Sequence, residues 1–166
     1  MNNVSFYDNT ASRGGVAYGH GLWIYESSHI LMYENEATSY GGALYLSGNG
    51  GIYHDYISLN KATIADNECN NGIGGIYVQN EPYTDLTLIN CIIWGNDGNY
   101  QLPTVDDITY CCIEDGPTTN HNIDDDPEFV NAAGDDYSLE YFSPCIDAGD
   151  RDSDYDDEDE SMADMG

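Results

Sequence analysis

Apolar and polar positions alternate along most of this chain in short runs, as in Ile76-Tyr77-Val78 and Cys91-Ile92-Ile93. A period of two sends successive side chains to opposite faces of a strand, so these runs predict short strands with one inward face. One pattern recurs: apolar, any residue, apolar, two residues, then Asn. It reads Val4-Ser5-Phe6-Tyr7-Asp8-Asn9, Ile30-Leu31-Met32-Tyr33-Glu34-Asn35, Ala62-Thr63-Ile64-Ala65-Asp66-Asn67 and Cys91-Ile92-Ile93-Trp94-Gly95-Asn96. A degenerate fifth copy is read as Tyr110-Cys111-Cys112-Ile113-Glu114-Asp115. The Asn positions lie 26, 32 and 29 residues apart, and the step to Asp115 is 19.

A second motif interleaves with the first. It runs Gly14-Gly15-Val16-Ala17-Tyr18, Gly41-Gly42-Ala43-Leu44-Tyr45 and Gly74-Gly75-Ile76-Tyr77, always in the order Asn, Gly-Gly, Tyr. An ordered repeat of this length predicts a solenoid whose strands stack in parallel at roughly 4.8 Å. Asn9, Asn35, Asn67 and Asn96 suit a corner, because Asn tolerates left-handed backbone and its amide can bond the next Asn in the stack. The Gly-Gly pairs allow a second tight corner. Gly-Gly in each unit, with this apolar spacing, excludes a helical solenoid. Stacking also makes columns of equivalent residues. Tyr18, Tyr45 and Tyr77 are expected to point outward as one column, with Tyr7, Tyr33 and Trp94 as another.

Charge narrows the partners. The 166 residues carry 31 acidic and three basic side chains, for a net charge of −28. Such a surface repels phosphates, so nucleic acid is excluded as a partner. Divalent cations that take carboxylate oxygens, Ca²⁺ above all, fit this surface; so does high external salt, which screens self-repulsion. Fifteen tyrosines argue for a packed chain over a disordered acidic one. No apolar run reaches the roughly 20 residues of a membrane-spanning helix. The opening MNNVSF is already strand-like, which reads as a mature product or a fragment of a longer precursor. Five cysteines without a CxxC pair argue against zinc, and an odd count leaves one thiol free or paired between chains.

The motifs carry a resemblance. FYDN at 6–9 and GGAL at 41–44 are similar to the FxxN and GGA[ILV] repeats of chlamydial polymorphic outer-membrane adhesins. LTLINCIIWGN at 86–96 resembles right-handed parallel β-helix proteins with pectate-lyase-like coils. NIDDDPEFV (122–130), GDDYSLEYFSPCIDAGD (134–150) and ADMG (163–166) are similar to the closing segments of large secreted bacterial β-helix proteins. The resemblance implies an all-β fold, a right-handed parallel β-helix of about five coils over 1–116 with an irregular acidic C-terminal cap over 117–166. It also implies an extracellular or cell-surface location. Fold alone does not set activity, since this architecture hosts adhesins, lyases and hydrolases alike.

The candidate chemistry is sparse. Gly19-His20-Gly21 matches a tripeptide of polygalacturonase-like hydrolases, but the Asn-Thr-Asp, the Asp pair and the following basic residue are missing, so His20 reads as a turn residue. Lyase-type elimination needs Ca²⁺ and a basic side chain at a uronate, and Arg13 and Lys61 lack basic company. In the tail, Asp150, Asp152, Asp154, Asp156 and Glu158 alternate as in Ca²⁺-binding loops, without the glycine of an EF-hand; a solvated acidic run is the plain alternative. Asp124, Asp125 and Asp126 form a second, weaker cluster. The Tyr18, Tyr45 and Tyr77 column offers sugar-stacking faces or lateral contacts, against the simpler reading of strand support.

Cys112 and Cys145 fall in the SCIEG-like and SPCIDAG-like segments of the resembled proteins, which implies a disulfide pinning the cap, contributing about 2–4 kcal/mol. Cys91 is expected to be a buried thiol, and Cys69 to sit on a turn open to intermolecular pairing. The expected function is a non-enzymatic structural or adhesive surface solenoid, partnered by host or cell-surface glycans or by its own copies stacked head to tail in a filament. The competing expectation is a carbohydrate-binding or carbohydrate-active fragment of the lyase or hydrolase type.

Overall fold

The computed structural model describes residues 2–48, 53–79, 81–97, 107–152 and 161–166. Each copy of the motifs lays down one rung. The first rung holds β1 (Asn2–Tyr7), β2 (Thr10–Arg13) and β3 (Ala17–Gly19). The second holds β4 (Trp23–Tyr33), β5 (Glu36–Tyr40) and β6 (Leu44–Leu46), and the third β7 (Asp55–Ala65), β8 (Glu68–Cys69) and β9 (Ile76–Val78). Next come β10 (Thr84–Ile89) with β11 (Ile92–Trp94), then β12 (Asp107–Thr109) with β13 (Cys112–Ile113). A hairpin, β14 (Phe129–Asn131) and β15 (Asp136–Leu139), follows.

Pairing runs from rung to rung. The strand orders are β1-β4-β7-β10-β12, β2-β5-β8 and β3-β6-β9, with β11 joining β7 to β13, and these ladders are parallel. The result is an all-β parallel solenoid. Period-two burial points Ile30, Met32, Ile57, Leu59, Ile64 and Leu88 into one continuous core.

The corners differ from the sequence expectation. The left-handed residue is the one before each Asn: Asp8, Glu34 and Asp66 have φ of 55°, 51° and 51°, and Gly95 has 68°. Asn9, Asn35, Asn67 and Asn96 instead turn inward and bond to one another across rungs, at 2.8, 2.9 and 2.8 Å. Their amides also bond rung carbonyls, as Asn67 does to Met32 and Ala65, which satisfies backbone that the corner removes from the ladder. At the opposite corner the backbones nearly touch. A Cβ on Gly42 would lie 2.1 Å from the carbonyl oxygen of Gly74.

The fifth copy is also in a different register. Ile92 pairs with Cys112 and Ile93 with Ile113, so Cys111, not Cys112, continues the inward column of Cys91. Asp115 (φ 54°) takes the left-handed place of Gly95 and does not extend the Asn ladder. Because reading the pattern one residue off reverses every side chain, Cys112, paired with outward-facing Ile92, faces outward rather than inward. The coil also runs past residue 116: Ile123 bridges Cys112, and Asn122 bonds Cys111 N and Ile108 O.

Beyond that point the chain turns back along the flank of the solenoid. Tyr137 packs on Tyr33 (5.1 Å between centroids) and Phe129. Asp150 N donates to the side chain of Asn90, and Gly166 N to the Asn90 carbonyl. Met165 and Cys145 pack on Ile92 and Cys112. The physical reason is an apolar outer face, formed by Leu31, Tyr33, Ala65, Ile92 and Trp94, which the returning strap covers.

Candidate functional site

The first sheet exposes a cluster of aromatic rings at the start of its strands. Trp23 pairs in register with Tyr56, and Tyr56 with Asp85, so the three form one outward column over consecutive rungs. A bulge in β4 between Ile24 and Ser27 adds a residue to the strand and sets Tyr25 beside Tyr56. Tyr25 and Tyr56 lie nearly parallel with centroids 6.4 Å apart, and Trp23 meets Tyr56 edge-on at 5.3 Å. Trp23 and Tyr25 stay 62% and 57% exposed, although rings of this size are usually more covered.

Polar groups frame these rings. Trp23 Nε1 donates to the His54 carbonyl at 2.9 Å. The His54 imidazole stacks on Tyr56 at 4.4 Å, and its Nε2 lies 3.3 Å from Asp85 Oδ2, an ion-pair distance when the ring is protonated but outside hydrogen-bonding alignment. The rings are held from below by Asp55. Its buried carboxylate accepts from the backbone N–H of Gly21 (2.6 Å), Leu22 (2.7 Å) and Ser47 (2.9 Å), which fixes the chain where it enters β4. Sequence reasoning missed this site. The signal was the pair of period-two runs Trp23-Ile24-Tyr25 and His54-Asp55-Tyr56, which carry no Asn or Gly-Gly to mark them as a repeat.

The expected tyrosine column forms, but not as an open face. Tyr18, Tyr45 and Tyr77 stack at 5.1 and 5.3 Å. Tyr45 is only 2% exposed, covered by Tyr40 and by the Arg13 guanidinium 5.3 Å from its ring centre, with its hydroxyl on Gln79. Burial pushes its phenol up, partly offset by Arg13. Among the three, Tyr18 offers an exposed ring. In the other column Tyr7 stacks on Tyr33, and Ala65 separates Tyr33 from Trp94.

Acidic side chains form two columns beside the Asn ladder. Asp8, Glu34 and Asp66 occupy the left-handed corner, while Glu36 and Glu68 pair in register one step past the Asn. Together with Asp97, Glu114 and Asp115 they line two shallow depressions. Asp135 of the strap is the main cause of the raised Glu34 pKa, followed by desolvation, Asp8 and Asp66. Among the described residues no three His, Cys, Asp or Glu side chains are grouped to hold a metal ion. Asp150 accepts at Oδ1 from the N–H of Asp152 at 3.2 Å; Asp154, Asp156 and Glu158 lie outside the described residues.

The other singled-out residues have structural surroundings. His20 stacks on Tyr53 at 4.5 Å and its Nδ1 is 3.3 Å from the Ser47 carbonyl. Lys61 is buried at a left-handed corner (φ 51°). All five cysteines are buried free thiols. Cys69 is thus shielded within its rung instead of being open to a second chain, and burial pushes its thiol up.

No curated protein and no solved structure matches the chain. The family described as the right handed beta helix region matches residues 1–124. With parallel rungs, inward Asn ladder and continuous core over that same stretch, the chain belongs to the right-handed β-helix family.

Proposed function

We propose that this protein is a non-enzymatic, extracellular adhesive β-solenoid that binds neutral glycan chains on the aromatic cluster of its first sheet. The observation that carries this reading is the exposed pair Trp23 and Tyr25 packed around half-buried Tyr56, held on rigid strands at adjacent rungs. Sugar rings present C–H faces to aromatic π-surfaces and hydroxyls to flanking polar groups. Here His54 and Asp85 supply the flank. The rungs repeat at roughly 4.8 Å, close to the length of a sugar unit, so a chain laid across them meets a ring or carboxylate at each step.

Binding without turnover fits the placement of the basic residues. Arg13 lies over Tyr45 and Lys61 is buried at a corner, so neither supplies a base beside the aromatic cluster. A surface of this charge also disfavours polyuronates. Titration calorimetry with neutral oligosaccharides tests the reading. Wild-type protein is expected to bind at least one series, and Trp23→Ala or Tyr56→Ala to weaken it by at least about tenfold. Failure to bind any series, or equal binding by both variants, overturns it.

A further inference from the structure

Four of the five cysteines meet in two pairs, and the pairs differ in what they can do. Cys91 and Cys111 stack inside the core on consecutive rungs, each thiol donating to a carbonyl, at 3.2 Å to Ile89 and Thr109. In-register residues of adjacent parallel strands stand about 4.8 Å apart, beyond the roughly 3.5–4.5 Å that Cβ atoms need in a disulfide. That spacing disfavours a disulfide there, although Cys91 N donates to Cys111 Sγ at 3.4 Å.

Cys112 and Cys145 are not bound by rung spacing. Cys112 pairs in register with outward-facing Ile92 and so lies outside the core, and the returning strap brings Cys145 onto it. Both are fully buried and pack with Ile92 and Met165. Local bonds fix both backbones: Cys112 N donates to the Cys91 carbonyl at 2.8 Å, and the Cys145 carbonyl accepts from Met165 N at 3.0 Å. The Cys112 thiol donates to the Asp125 carbonyl at 3.1 Å.

We infer that Cys112 and Cys145 close into a disulfide that clasps the strap to the last rung when the chain folds in the presence of an oxidised dithiol protein or a small-molecule disulfide. One cysteine thiolate attacks a sulfur of that oxidant, forming a mixed disulfide and releasing one thiol. The second cysteine thiolate then attacks the protein-bound sulfur and releases the other. The two cysteines lose two electrons and two protons, and the oxidant leaves as two thiols. Closure precedes docking of the strap, because the docked pair is sealed from solvent. Their mutual hydrogen bond, then burial and the nearby Asp125 and Asp124, also push the Cys112 thiol far above the ordinary range, removing the thiolate the reaction needs.

The test is refolding of the reduced chain in a glutathione redox buffer and, in parallel, in excess reductant. Both samples are then alkylated in denaturant and analysed by intact and tandem mass spectrometry. With five cysteines in all, three alkylated residues are expected after oxidative refolding and five in reductant, with the linked peptides joining Cys112 to Cys145. The linked form is expected to melt roughly 5–10 °C higher. Adding the same disulfide to the folded, reduced protein should close the bond at least tenfold more slowly. Cys112→Ser should leave all remaining cysteines alkylated. Should that variant not fold, Cys69→Ser must still show the Cys112–Cys145 link. Five alkylated cysteines after oxidative refolding, or a link from Cys91 to Cys111 or from Cys145 to Cys111, overturns the inference.

Discussion

Asn35 donates its side-chain amide to Oδ1 of Asn67 at 2.9 Å, one rung away and sealed from water. Asn67 in turn donates to Asn96 and to the carbonyls of Met32 and Ala65, and accepts from the backbone of Asn35. Replacing it by Ala strands several buried partners at once. Asn67→Ala is expected to cost about 2–4 kcal/mol. Asn9→Ala, at the exposed edge of the ladder, should cost under about 1 kcal/mol. Urea unfolding of both variants checks the contrast, and equal losses would mean that the ladder does not act as a buried network.

Much of this fold is legible in the chain because stacked rungs impose strict local chemistry. Asn at one corner and Gly-Gly at the other are demanded by geometry, so their order alone gives the parallel solenoid. The features that escaped arise where rungs depart from the repeat. The register at Cys111 and Cys112 is hidden because both candidate inward residues are the same amino acid. The strap over Leu31, Ile92 and Trp94 has no repeat at all, and its path is set by which outer face is apolar. Tyr45 was legible as a stacking residue but not as a buried one, since its cover comes from Tyr40 and Arg13 through tertiary contacts.

That burial separates two tyrosine roles. Tyr45→Ala removes a ring packed between Tyr18 and Tyr77 and is expected to cost about 3 kcal/mol of stability. Glycan affinity should stay within about twofold of wild type in the folded variant. Trp23→Ala should behave the opposite way, with stability changed by less than about 1 kcal/mol because its ring is mostly exposed. Parallel melting and calorimetry of the two variants read both effects, and glycan affinity lost in Tyr45→Ala would move the site to that column.

Carboxylate repulsion makes stability depend on pH with a definite sign. Glu34 has a raised pKa, so its folded form holds a proton more tightly than the unfolded chain does. The stability it contributes is present at low pH and lost as pH rises through its folded value. Melting temperature is therefore expected to rise as pH falls from about 7 to about 5, just above the ordinary carboxylate range. Asp136 opposes this lower down, because hydrogen bonds from Ser138 depress its pKa and that stabilisation fades on acidification. Glu34→Gln should raise the melting temperature at neutral pH and flatten its slope. Added Ca²⁺ or salt should have the same stabilising effect by screening. A melting temperature that falls from pH 7 to 5, or ignores salt, would contradict this account.

Tyr137 sets how firmly the strap is held. Its ring packs on Tyr33 and Phe129, and its hydroxyl donates to Asp66 Oδ2 at 2.9 Å. Burial comes first, then that bond and the Asp66 charge, in pushing the phenol above its ordinary value. A raised folded pKa means the stabilisation is complete below the unfolded value near pH 10 and is lost as pH rises further. Strap release, read by limited proteolysis between Ala132 and Gly166, should therefore accelerate above about pH 10 in the reduced protein. Tyr137→Phe keeps the rings together and loses the bond, so it should weaken docking by about 1 kcal/mol and remove this residue's part of the alkaline step. Tyr137→Ala loses both and should expose the strap to protease at neutral pH, while the rung core around Ile57 and Leu88 keeps its protection from hydrogen exchange. Equal cleavage rates in all three proteins would show that the strap is held by its other contacts, at Asn90 and Cys112, and not by Tyr137.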